Sequence, residues 1–153
     1  MEFVWHDGGR ASCGYVGTSG DCVTRSITIA TGEIYRDVYE SLSVMSDKTA
    51  RHGISDSVSA RYLTERGWRS TAGNGIVADD LPKGVVIVGF KPIGRKRTGH
   101  MSCLIDHTVY DTWNPLEDPE HVIESYWTCA ATTTGSTLSI TAPGRPATTD
   151  DAR

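Results

Sequence analysis

Residues 99–113 read GHMSCLIDHTVYDTW. Two apolar-rich segments of strand length, His100 to Ile105 and Thr108 to Trp113, flank the polar dipeptide Asp106-His107. That arrangement predicts a β-hairpin, although the dipeptide lacks the glycine of the most favoured two-residue turns. A turn centred on Asp106-His107 pairs Ile105 with Thr108, and so sets Ser102 opposite Asp111 and His100 opposite Trp113. Side chains two apart on a strand share a face, which makes His100 and Asp111 diagonal neighbours with Cβ atoms roughly 7 Å apart. A slip of one residue would undo this, so the site rests on the turn. Asn114-Pro115 ends the second strand, because proline cannot donate to a ladder.

Outward from the hairpin, Val85 to Phe90 is a continuous apolar run that predicts a buried strand, and His121 to Thr128 and Thr137 to Thr141 supply others. The first half has helical periodicity instead. Val23, Ile27 and Ala30 share one face of a helix expected over residues 21–31, closed by Gly32 at the C-cap. Ile34, Val38, Leu42 and Met45 mark a second helix over residues 33–45. A third fits residues 56–66, capped by Ser55 or Asp56, with Val58, Tyr62 and Leu63 as its apolar stripe and Gly67 at its end. Before them, Phe3 to His6 predicts a short strand, followed by a glycine-rich loop. Helices first and strands afterwards imply an α+β domain, with N-terminal helices packed on an antiparallel sheet. The domain is expected to span residues 1–141, and the polar segment 142–153, with its two prolines, is expected to be a disordered tail.

The bulk numbers narrow the partners. With 153 residues the chain can bury a core without metal or disulfide staples. A net charge of −4 gives no basic excess for nucleic acid or an anionic membrane. The one basic cluster, Arg95-Lys96-Arg97, falls between two expected strands and is read as a solvated loop. No apolar run approaches the roughly 18 residues of a membrane span. The N-terminus has neither the basic region nor the apolar core of a secretory signal, so a cytoplasmic location is expected. Cys13, Cys22, Cys103 and Cys129 form no C-x-x-C pair, which argues against zinc or a disulfide framework. No cofactor and no metal are expected.

Cysteine, histidine and carboxylate nonetheless occur in a suggestive order. Gly20-Asp21-Cys22-Val23-Thr24-Arg25 opens the first helix, and a helix N-terminus favours negative charge on a thiol. His100 would activate Cys22, and Asp111 would hold the imidazole in one tautomer. Asn114 is the alternative orienting group, and Trp113 would wall a substrate cleft or fill the core beneath it. Asp21 beside the thiol opposes a thiolate unless it caps the helix or pairs with Arg25 four residues on. Taken singly, a cysteine at a helix start is most often a small buried hydrophobe. Cys103, Cys129, Trp68 and Trp127 are read as structural, and His52 and His107 as solvated.

The stretch G-D-C-V-T-R, followed by I-A-T-G-x-x-Y-x-x-V-Y and later by G-H and D-T-W, resembles a group of small phage-encoded proteins of the papain-like cysteine peptidase superfamily. The bacteriocin-processing double-glycine peptidases belong to that superfamily, and the CHAP amidases are more distantly similar. The resemblance covers roughly residues 12–127. It implies a papain-like fold and Cys22–His100–Asp111 catalysis, with the Cys22 backbone N–H donating to the oxyanion. The family's second oxyanion donor, a glutamine about six residues before the nucleophile, is replaced here by Val16; Tyr15, Thr18 or Ser19 would have to substitute. The resemblance implies a thiol hydrolase cleaving a peptide or isopeptide bond of a protein or peptide substrate in a host cytoplasm. A CHAP-like peptidoglycan amidase or endopeptidase is an alternative. So is an inactive papain-like binding module that blocks a host factor.

Overall fold

The computed structural model describes residues 1–17, 19–94 and 98–130. The Arg95-Lys96-Arg97 cluster, the strand expected at Thr137 to Thr141 and the tail at 142–153 lie outside the described residues. The rest forms three helices and one six-stranded sheet: β1 (Glu2–Trp5), α1 (Cys22–Thr31), α2 (Tyr35–Ser46), α3 (Asp56–Glu65), β2 (Trp68–Ala72), β3 (Val85–Pro92), β4 (His100–Ile105), β5 (Thr108–Asp111) and β6 (His121–Cys129). The architecture is α+β, and the helices pack on the sheet.

The sheet runs β1-β5-β4-β3-β6-β2. It is mixed rather than antiparallel, since β1 lies parallel to β5. A parallel partner needs a long crossover, and here all three helices and three strands intervene between β1 and β5. No local pattern announces such a pairing. Strand β2 also escapes the sequence pattern, because after the buried Trp68 its other four residues are all exposed. This polar edge strand has no alternation to read.

The helix boundaries follow their periodicity closely. Residues Val23 to Ala30 of α1 are all buried, and Gly32 closes the helix with φ of 74°, a conformation that glycine adopts without steric cost. In α2 the buried face is Tyr35, Val38 and Leu42, while Ile34 is the exposed N-cap. One core lies between helices and sheet, and includes Ile27, Val38, Leu42, Leu63, Ile87, Cys103 and Trp127. A second joins Leu81, Val86, Val88, Phe90, Leu104 and Val109. Residues 86, 87 and 88 thus alternate between the two cores, which is why β3 reads as an unbroken apolar run.

The hairpin takes the expected register, with Ile105 opposite Thr108, Leu104 opposite Val109 and Cys103 opposite Tyr110. Asp106 and His107 both adopt positive φ, 47° and 66°, as a two-residue hairpin turn of this kind requires. Outside contacts hold these non-glycine residues there. The Gly84 N–H donates to Asp106 Oδ1 at 2.9 Å, and His107 Nε2 donates to the Leu81 carbonyl at 2.8 Å. His107 is therefore a partly buried anchor of the turn, not a solvated residue.

Candidate active site

The site forms at one end of the sheet, where β4 begins at His100 and β5 ends at Asp111. The hairpin register supplies the first contact. His100 Nε2 lies 2.7 Å from Asp111 Oδ2, and the Ser102 hydroxyl, directly across the strands, donates to the same oxygen. Helix α1 supplies the second. Cys22 is its first residue, half-buried, and its thiol is close enough to the His100 imidazole to help raise the ring's pKa. With Nε2 committed to Asp111, Nδ1 is the ring nitrogen left for the thiol. A hydroxyl ties helix to strand nearby: Ser26 Oγ lies 2.7 Å from both the Cys22 and the Met101 carbonyls. Gly99 is required just before His100, because a Cβ there would come within 2.9 Å of the Phe90 carbonyl oxygen.

The electrostatics follow from burial and partners. The His100 side chain is 9% exposed. Burial alone would push its pKa down, but the hydrogen bond to Asp111 and the nearby Cys22 thiol, with the charges behind them, raise it to about 9. Asp111 is likewise buried, which disfavours its charge. The His100 contact, the Ser102 hydroxyl and the Arg25 cation outweigh that and hold its carboxyl below the usual range. Cys103, fully enclosed beneath the site, has its thiol pushed up by burial, so it is a packing residue as expected.

The remaining expectations divide. Trp113 lies in the bend just past β5 and not on a strand; its ring centroid is 4.6 Å from that of His100, and it lines the cleft. The Asn114 side chain is engaged in the next turn. It accepts from the Leu116 N–H and donates to Glu117, capping a short 3₁₀ turn. Tyr15 is drawn into an aromatic cluster with Tyr35 and Tyr39, at centroid distances of 5.2 and 4.8 Å. Ser19 lines the cleft with Cys22, its hydroxyl 3.5 Å from the Arg51 carbonyl. Thr18 is outside the described residues. Asp21 does not cap α1; its carboxylate turns to Arg25.

Three contacts were not anticipated. Arg25 reaches beyond Asp21 to Asp111 Oδ1 at 3.2 Å, a contact 86 positions apart that no local pattern reveals. Tyr35 donates to Asp21 at 2.6 Å. His121 of β6 stands with its ring 5.6 Å from Trp113 and 6.4 Å from His100. Ser102, by contrast, follows from the hairpin register, which sets it opposite Asp111.

Cys22 and His100 open onto a cleft of about 1050 Å³, walled by α1, the 52–54 loop and the start of α3 on one side and by β3, β4 and β6 on the other. Its volume sits at the top of the range of small-molecule pockets. As the first residue of α1, Cys22 has a backbone N–H with no intrahelical partner. No helix among the described residues is long and apolar enough to cross a membrane. Among the described residues no group of three histidine, cysteine or carboxylate side chains is arranged to hold a metal ion. Comparison with family models, curated proteins and solved structures gives no match.

Proposed function

We propose that this protein is a thiol hydrolase of the papain-like kind, cleaving an amide bond in a peptide or protein. The observation that carries this reading is the series Cys22–His100–Asp111 at an open cleft, with the thiol beside the imidazole and the imidazole hydrogen-bonded to the carboxylate. A nucleophile touching a base, with the base oriented by a third group, is the geometry that acyl transfer needs.

In the first step the Cys22 S–H bond breaks and its proton passes to His100 Nδ1, the sulfur bonds to the substrate carbonyl carbon, and the C=O π pair moves onto oxygen. The Cys22 backbone N–H donates to that oxyanion, and the cleft position of Ser19 suits it as a second donor. The tetrahedral species then collapses. The C–N bond breaks, and the His100 proton goes to the departing amine. Water adds to the thioester, giving a proton to His100, and the C–S bond breaks to release the acid and Cys22. Asp111 does not take the proton; it keeps Nε2 engaged so that Nδ1 stays on the sulfur side.

The test is the pH dependence of Cys22 alkylation by iodoacetamide in wild type and His100→Ala, with sites read by mass spectrometry. Labelling at pH 6 to 7, where an ordinary thiol of pKa about 8.5 is mostly protonated, is expected to be fast in wild type and slow in the variant. Slow labelling indifferent to His100 would sink the reading. A peptide-library cleavage screen, with Cys22→Ala as control, then identifies the bond cut.

A further inference from the structure

Behind the reacting pair lies a set of buried charges that thiol chemistry does not itself demand. Asp21, Arg25 and Asp111 are 1%, 6% and 2% exposed. The Arg25 guanidinium divides between the two carboxylates, Nη1 to Asp21 Oδ1 and Nη2 to Asp111 Oδ1 at 3.2 Å. The other Asp21 oxygen accepts from the Tyr35 hydroxyl at 2.6 Å and lies 3.6 Å from Arg10 Nε. Burying ions this way is a poor route to stability, since well-packed apolar side chains often serve as well. A geometric role accounts for the arrangement better. A carboxylate free to turn about its terminal torsion could offer His100 either oxygen. Here Oδ1 is taken by Arg25 and by the Thr112 N–H at 2.6 Å, which leaves Oδ2 for His100 and Ser102. Arg25 also sits three residues after Cys22 on the same helix, so one guanidinium ties the nucleophile's helix to the carboxylate that holds its base.

We propose that Arg25 is a positioning residue: it locks the Asp111 carboxylate in the orientation that holds His100 towards Cys22, and Asp21 with Tyr35 holds Arg25 in turn. The consequence for catalysis rests on the thiol-hydrolase reading; the orientation itself does not. A planar fork is needed for this task, because a lysine ammonium is a single point of charge and cannot span two carboxylates in fixed directions. The groups facing the His100–Asp111 pair are Cys22 and Arg25 from α1, Ser102 and Cys103 from β4, Thr112 after β5 and His121 from β6, with Asp21 behind Arg25. Among these Arg25 is the permanent cation.

The experiment follows the downfield Nε2–H resonance of His100 and the Cys22 labelling rate from pH 4 to 9, in full-length wild type, Arg25→Lys and Arg25→Gln. In Arg25→Lys, which keeps the charge the fold needs, the resonance is expected to broaden and the labelling rate to fall about tenfold or more, while the acidic pH at which the resonance is lost stays in place. In Arg25→Gln the acidic pH at which the Nε2–H resonance is lost, which reports protonation of its acceptor Asp111, is expected to move up by about one pH unit or more as the carboxylate loses its cation. A wild-type resonance and rate in Arg25→Lys would overturn the proposal, whether or not Arg25→Gln folds. If wild-type Cys22 labels slowly and independently of His100, the hydrolase reading fails, and the Nε2–H resonance alone still decides the role of Arg25.

Discussion

Two histidine–carboxylate pairs approach Trp113, and only one of them faces the Cys22 thiol. His100 meets Asp111 at 2.7 Å and His121 meets Asp118 at 3.1 Å, with ring centroids 4.6 and 5.6 Å from the indole. The chemistry of the two contacts is the same. Their surroundings are not. Asp111 is 2% exposed and reinforced by Arg25 and Ser102, whereas the Asp118 side chain is 19% exposed and only three residues from its histidine. The second ring nitrogen matters most. On His100 it is left for the Cys22 sulfur, while on His121 the remaining nitrogen, Nε2, lies 3.1 Å from the Thr98 carbonyl. An imidazole held at both nitrogens by fixed acceptors ties a loop in place; one held at a single nitrogen has the other for chemistry.

The largest effect should separate the two histidines. His100→Ala is expected to slow Cys22 alkylation at pH 6.5 by about 10²-fold or more, the lower end of what a positioned acid–base group contributes. His121→Ala should leave the rate within a few-fold of wild type. Equal losses in the two variants would erase the distinction. Next come the carboxylates, measured by urea unfolding at pH 6. Asp111→Asn removes a buried anion and leaves the Arg25 cation short of a partner, at a cost of about 3 kcal/mol. Asp118→Asn breaks a partly exposed local contact and should cost less than about 1 kcal/mol. The His100 resonance in Asp111→Asn should also titrate well below the wild-type value of about 9, since the chief group raising it is gone.

The pH dependence of stability sharpens the same contrast. His100 titrates in the folded state at about 9 against 6.5 in the unfolded chain, so its contribution is complete below pH 6.5 and is lost as the pH rises through 9. Asp111 is shifted the other way from 3.8; its contribution is present above that value and is lost as the pH falls through its depressed folded value. The melting temperature should therefore be highest between about pH 4 and 6.5, and His100→Ala should flatten the alkaline side. The indole shared by the two histidines affects both measurements at once. Trp113→Ala removes a ring contact worth about 1 kcal/mol beyond its area, read as a lower urea midpoint with a moderate fall in Cys22 labelling.

Much of this site could be read from residue order because its parts obey local rules. The hairpin register follows from two apolar segments and a two-residue turn, and it brings His100, Ser102 and Asp111 together. The α1 periodicity puts Cys22 at a helix start, with Arg25 one turn away from Asp21. Asn114 misled because a side chain that could orient a histidine is equally suited to capping the next 3₁₀ turn, and the nearer backbone N–H won. Tyr15 misled because an aromatic ring gains more from packing on Tyr35 and Tyr39 than from a polar task in the cleft.

By itself the sequence determined the α+β class, the three helices, the hairpin and the candidate nucleophile, base and orienting carboxylate. All of these depend on contacts within a helix turn or across a tight turn, where spacing alone sets the geometry. Only the tertiary structure decided that β1 runs parallel to β5, that α1 brings Cys22 onto His100, and that Arg25 joins Asp21 to Asp111. Those pairings join residues dozens of positions apart. They are selected by burial and by the need of enclosed charges for partners, which no local repeat records.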